Sequence, residues 1–184
     1  MSAILEKSYK DKALRYDLDS YHKLGASGVI GRNTELIHGV VVNKMTISPK
    51  HRKVVNKLRD ILTSVIEERF IVLQESPISI GDSEPEPDIS TIAGTHDDFG
   101  DKHPETAAFV VEVAFSSFED DLLKAEIYAS ANISIYWILD LQNNKIEAFQ
   151  NPESGKYTLH TTHTLEEKIP LPLTNRTISL AEII

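Results

Sequence analysis

The 184-residue chain predicts a mixed α/β or α+β fold, with a central sheet flanked by helices. Three observations carry that expectation. "TAAFVVEVAF" at 106–115 is a short, nearly continuous apolar run, the pattern of a strand buried on both faces. Helical and extended patterns alternate along the chain around it, instead of collecting at opposite ends. The length and a composition of 41% apolar and 26% charged residues suit one domain with a sizeable core. A single domain over 1–184 is therefore expected, with a polar, partly helical lead-in over 1–30 and a core over 31–184.

The lead-in ends at "GASGVIGRN", and "TELIHGVVVNKMTI" (34–47) then reads as two short strands turning at His38-Gly39. "SPKHRKVVNKLRDILTSVIEERF" (48–70) carries strong helix signals. Ser48 can cap the first turn, Pro49 suits the next position, and Val54, Leu58, Ile61 and Val65 form an apolar stripe. "IVLQESPISI" and "DISTIA" read as strands on either side of a proline-rich turn, and "GTHDDFGDKHPE" as a loop. After the buried strand, "SSFEDDLLKAEIYASAN" is a helix with Ser and acids at its start and Asn past its end. "ISIYWILDL", "NNKIEAFQN" and "KYTLHTTHTL" read as further strands, and "TISLAEII" as a last strand and turn.

The chain has no cysteine, which excludes disulfides and thiolate zinc sites and fits a reducing cytosol. Charges interrupt the N-terminal stretch where a signal peptide needs apolar residues, and no run reaches membrane-spanning length. A cytoplasmic protein without a membrane partner is expected. The net charge of −9 conceals an asymmetry, with 12 Lys/Arg against 6 Asp/Glu in residues 1–60 and 7 against 22 thereafter. A basic part can face a polyanion while an acidic part faces solvent.

Two carboxylates stand out. In "EPEPDIS" (84–90) two prolines hold the backbone extended and present Asp88 at the mouth of a strand. Glu112 interrupts the buried strand, with Val110 and Ala114 on its own face. It can face solvent, pair with a cation or bind a metal, and its apolar neighbours weaken the first reading. The next helix carries Asp120, Lys124 and Tyr128 at spacings of four, along one face. An Asp120–Lys124 pair alone would be a routine helical salt bridge. Asp88, Glu112 and Lys124 together supply a hard oxygen site for Mg²⁺ or Mn²⁺ with a lysine beside it, the minimal equipment for phosphodiester hydrolysis.

The order Pro87-Asp88, a spacer of about two dozen residues, then "VVEVA" with Glu112 resembles the PD-(D/E)XK nuclease superfamily. More narrowly, the series "TELIHGVV" (Glu35, Gly39), His51, Asp88, "VVEVAFS", Asp120, Lys124, Tyr128 and "YWILD" is similar to the Uma family of restriction-endonuclease-like proteins. The likeness covers roughly residues 30–165. It implies a restriction-endonuclease-like mixed sheet, with Asp88 and Glu112 as ligands of Mg²⁺ (or Mn²⁺). Lys124 would be the catalytic lysine, moved from the strand position that Ala114 occupies onto the following helix. Glu35 would be an auxiliary catalytic acid, and His51, Asp120 and Tyr128 supporting residues. The chain departs from the family pattern at Asn132-Ile133 and in "AFSSFEDD", a loop near the site.

"KMTISPKHRKVVNKLR" contains Lys44, Lys50, Arg52, Lys53, Lys57 and Arg59 and no acid. Cations crowd the N-terminal half of the expected helix, with Glu67 and Glu68 at its other end, the reverse of what the helix dipole favours. Phosphate binding by Lys50, Arg52, Lys53 and Lys57 would account for this, and so would a solvated face. No base-reading module, Gly-rich phosphate loop or nucleophile elbow is present. His160 and His163 lie three apart on a strand, pointing to opposite faces. The leading expectation is a metal-dependent DNA endonuclease, acting as a homodimer. The alternative is a catalytically inactive nuclease-fold protein serving as a nucleic-acid-binding or assembly module.

Overall fold

The computed structural model describes residues 13–44 and 48–184. The first part of the expected lead-in, residues 1–12, and residues 45–47 after the hairpin lie outside the described residues. The described residues divide into two compact units. Those up to Lys44 with Gly81–Pro85 form the first, and those from Ser48 to Ile80 with Glu86–Ile184 the second. Among the described residues there are three α-helices and ten strands.

In the first unit, helix α1 (Leu18–Ala26) starts where the Asp17 side chain accepts the Ser20 N–H at 2.8 Å. Strands β1 (Thr34–Ile37) and β2 (Val40–Asn43) pair antiparallel through the expected turn at His38-Gly39. Both turn residues have positive φ, 48° and 73°, the geometry that matches the twist of a two-residue hairpin. A Cβ at Gly39 would also lie 2.9 Å from the Arg15 Cβ, so only glycine fits there.

The second unit holds helix α2 (Pro49–Val65), strands β3 (Phe70–Gln74), β4 (Ile89–Ala93) and β5 (Phe109–Ala114), and helix α3 (Phe118–Ser130). Strands β6 (Ile135–Asp140), β7 (Lys145–Glu153) and β8 (Lys156–Thr164) follow. Their sheet has the order β3-β4-β5-β6-β7-β8, with β5 and β6 parallel and the other neighbours antiparallel. Short strands β9 (Ile169–Pro170) and β10 (Thr177–Ile178) pair with each other near the C-terminus.

Strand β5 is central, and all six of its residues are buried, as its unbroken apolar run requires. Phe109, Val111 and Val113 face one way, into a core with Val54, Val55, Leu58 and Leu62 of α2 and Trp137 and Leu139 of β6. The Phe109 and Trp137 rings meet edge to face at 5.0 Å. The other face of β5 carries Val110, Glu112 and Ala114, and α3 covers it, with Tyr128 reaching Glu112. The parallel step from β5 to β6 is what obliges a helix to cross over the sheet at this point.

One helix boundary differs from the sequence reading. Helix α2 ends at Val65 because Ile66 turns extended, with ψ 151°. Glu67 and Glu68 therefore lie beyond the helix, and the reversed charge gradient rests on its cations alone. Ser117 stands at the N-cap of α3, but its side chain does not cap the backbone. Its hydroxyl donates instead to the Asp121 carboxylate at 2.7 Å.

Leu58 is fully buried in the core while Leu123, on the outer face of α3, is 72% exposed. Leu58→Ala is expected to cost about 2–5 kcal/mol in urea unfolding. Leu123→Ala should stay within about 0.5 kcal/mol of the wild type. Equal losses would contradict this assignment of the core.

Candidate active site

The carboxylates come together where β4 begins and β5 ends. Ile89 pairs with Val111, so Asp88, one residue before β4, falls level with the Glu112–Val113 peptide. There the Asp88 N–H donates to Glu112 Oε2 at 3.2 Å, and Asp88 Oδ2 accepts the Val113 N–H at 2.7 Å. The two acids are thus locked to each other's strands through backbone hydrogen bonds. Pro87 contributes by holding the residue before this junction extended.

Glu112 is only 4% exposed and would be costly to bury unpaired. Its Oε1 accepts from Lys124 Nζ at 3.1 Å and from the Tyr128 hydroxyl at 2.8 Å. Both donors stand on α3 one turn apart, which places them side by side over the strand. Lys124 also lies 3.7 Å from Asp121, a second buried carboxylate. The Tyr136 hydroxyl donates to the Asp121 carbonyl at 2.8 Å and so anchors the first turns of α3 to β6. Burial, reinforced by the charges of Glu112 and Asp121, pushes the Tyr136 phenol well above its ordinary pKa, so it remains a neutral donor.

From the opposite layer, His51 in the first turn of α2 donates from Nε2 to Asp88 Oδ2 at 3.0 Å. Its Nδ1 is buried without a hydrogen-bond partner among the described residues, so Asp88 is what holds the ring. Burial opposes charge on His51. The hydrogen bond and charge of Asp88, helped by Glu75 and Asp121, outweigh it and leave the ring's pKa raised.

Asp88, Glu112, Lys124, His51 and Tyr128 therefore form one connected cluster, contributed by both helices and two strands. Asp120 is exposed, and it is Asp121 that lies buried beside Lys124. Asp121 was not singled out from the sequence, since spacings of three and four both fit one helix face. Glu35 lies in the first unit, buried in β1 opposite Val42. Asp140, in the "YWILD" stretch, accepts backbone N–H groups from Gln142 and Asn143 and fixes the turn to β7. Lys50, Arg52, Lys53 and Lys57 are exposed along α2, and Lys57 reaches the Ile184 carbonyl at 3.3 Å. His160 bonds Glu147 and His163 bonds Glu167, so the two histidines go to different partners.

The donor chemistry suits a hard divalent cation. Asp88 Oδ1 accepts no hydrogen bond among the described residues, although the side chain is only 14% exposed. The described residues contain no group of three or more acid or histidine side chains able to hold a metal, so water or substrate oxygens would have to complete a shell begun by Asp88 and Glu112.

The six-stranded mixed sheet with a helix against each face is a restriction-endonuclease-like fold. The chain belongs to the Uma2 family, described as "Putative restriction endonuclease", whose profile matches residues 19–181. Its fold is similar to a crystal structure described as "a putative nuclease belonging to DUF820" from Anabaena variabilis ATCC 29413. The two are 14% identical, with a TM-score of 0.70 over 93% of this chain and 97% of that one. No curated protein matches the sequence. Among the described residues no helix is long and apolar enough to cross a membrane.

Because the folded pKa of His51 is raised, its contribution to stability is fully present below the ordinary value of 6.5. That contribution is lost as pH rises through the raised folded value. In metal-free protein, NMR titration should place His51 above 6.5 in the wild type and clearly lower in Asp88→Asn, where burial is opposed only by Glu75 and Asp121. An unchanged titration in the variant would show that Asp88 does not hold the ring.

Proposed function

We propose that this protein is a metal-dependent endonuclease that hydrolyses DNA phosphodiester bonds at a site formed by Asp88, Glu112 and Lys124. One observation carries the reading. Asp88 at the mouth of β4 and Lys124 in the middle of α3 both meet the Glu112 carboxylate of β5, the first through its backbone N–H at 3.2 Å and the second through its ammonium at 3.1 Å. Family membership supports the nuclease class.

Asp88 and Glu112 would hold Mg²⁺ or Mn²⁺, which when bound polarises a phosphate and acidifies a water. Hydrolysis forms a bond from a water oxygen to phosphorus and breaks the bond to the leaving sugar oxygen, which takes up a proton. Lys124 serves this exchange as an ammonium donor, to the attacking water or to the oxygens on which charge builds. His51 and Tyr128 act as positioning residues. The first occupies Asp88 Oδ2 and leaves Oδ1 open, and the second fixes Glu112 Oε1. The exposed cations of α2, Lys50, Arg52, Lys53 and Lys57, supply sequence-independent attraction for the phosphate backbone. Glu35 is proposed as an auxiliary acid on the family resemblance. A cytoplasmic homodimer is proposed with it, since one site cuts one strand and two-fold symmetry brings two sites to a duplex.

A second reading, an inactive binding or assembly module, is favoured by a specific contact. Lys124 already pairs with buried Glu112 and lies near buried Asp121, as a purely structural ion pair would.

Nicking of supercoiled plasmid separates the two. With Mg²⁺ or Mn²⁺ the wild type should nick, and Asp88→Asn and Lys124→Ala should each lose about a hundredfold or more in rate. Cutting that survives in both variants would remove the assignment of the site to Asp88 and Lys124, and no cutting by the wild type would favour the second reading.

A further inference from the structure

The residue that follows β5 is Phe115, three positions beyond Glu112. All six residues of β5 are buried, yet Phe115 is 43% exposed. A single exposed aromatic is unremarkable by itself. Phe115 differs because of what meets it. The Lys50 ammonium lies over its ring, 5.6 Å from the centroid, within cation–π range. Lys50 is the immediate neighbour of His51, whose ring holds Asp88 at 3.0 Å. Consecutive residues in the first turn of α2 thus touch the candidate metal ligand and the exposed ring, which links Phe115 to the acid pair through Lys50 and His51.

We propose that Phe115 and Lys50 form a nucleotide platform at the edge of this site. The Phe115 ring stacks on the base next to the scissile phosphate, and Lys50 engages a flanking phosphate. The proposal rests on the nuclease reading and names its substrate class as DNA with an unpaired, unstacked base, single-stranded or frayed, in preference to closed duplex. The physical reason is access. A base inside a duplex has both faces covered by its neighbours, and taking it out requires unstacking and unpairing. A base in a single strand offers a free face that an aromatic ring can meet whatever its sequence. The first turn of α2 contains no acid to repel the backbone, and Arg52 and Lys53 continue the cationic track from Lys50. An aromatic ring interleaved with cations is the combination that single-strand binding requires.

The test uses a single-stranded oligonucleotide carrying 2-aminopurine, whose fluorescence falls on stacking, in Ca²⁺ to hold the strand without relying on turnover. A duplex of the same sequence is the control. Wild type should bind the single strand more tightly than the duplex and quench the probe. Phe115→Ala should weaken single-strand binding by about tenfold or more, lose the quench, and change duplex binding by less than about twofold. Phe115→Trp should keep both affinity and quench. The proposal is overturned if the wild type binds duplex better or shows no quench, or if Phe115→Ala weakens both forms equally. It is also overturned if Phe115→Ala leaves DNA binding intact but lowers the oligomeric mass, which would mark the ring as a protein contact. Stacking by a wild type that cuts neither plasmid nor single-stranded DNA in Mg²⁺ or Mn²⁺ would defeat the nuclease reading and leave the platform standing.

Discussion

The buried carboxylate of Glu112 is the constraint around which the second unit is arranged. A charge placed in the central strand of a sheet, with helices over both faces, cannot rely on water. Breaking such a pair by removing one partner typically costs about 3–5 kcal/mol. The chain compensates with the Asp88 N–H, the Lys124 ammonium and the Tyr128 hydroxyl. Each of those donors needs a particular backbone arrangement. The Asp88 contact requires β4 to start where it does, and the two α3 contacts require that helix to lie across β5 in one rotational setting. A leucine at 112 would have packed on the same face with Val110 and none of this apparatus. Stability alone does not call for an acid there, since replacing a buried ion pair by apolar residues is often neutral or favourable.

Both layers of the unit meet at this point. Helix α2 packs its apolar stripe on the Phe109, Val111 and Val113 face and sends His51 round to Asp88. Helix α3 covers the other face and sends down Lys124 and Tyr128. The acid pair sits between them, where the mouth of β4 meets β5. The lysine, although absent from the strand itself, still reaches the acid because α3 follows β5 after a connection of only a few residues.

Much of this was legible in the sequence, for identifiable reasons. Glu112 is conspicuous because an acid in an apolar run must be explained, and Asp88 because paired prolines fix where it is presented. The six sheet strands follow from apolar runs and turn residues, although β3 ends at Gln74, short of the stretch read up to Ile80. The choice between Asp120 and Asp121 was not legible. Neighbours on a helix differ by about 100° in direction, and the rotation of α3 is set by long-range anchors such as Tyr136 to the Asp121 carbonyl. The His51–Asp88 contact joins residues 37 apart, and local pattern says nothing about such a meeting. The early end of α2 at Val65 was hidden because Ile66 continues the apolar sequence while its backbone turns extended. Phe115 reads as one more apolar residue of the buried run, and only the end of β5 at Ala114 brings it to the surface.

The central claim is that Asp88 and Glu112 act together on a divalent cation, and anomalous diffraction from crystals soaked in Mn²⁺ tests it most directly. The account predicts one strong anomalous peak in contact with a carboxylate oxygen of each residue, absent from Asp88→Asn crystals treated identically. An undisturbed Glu112–Lys124 pair with no peak between the acids would contradict it, and would leave the cluster as a structural ion pair in a nuclease fold.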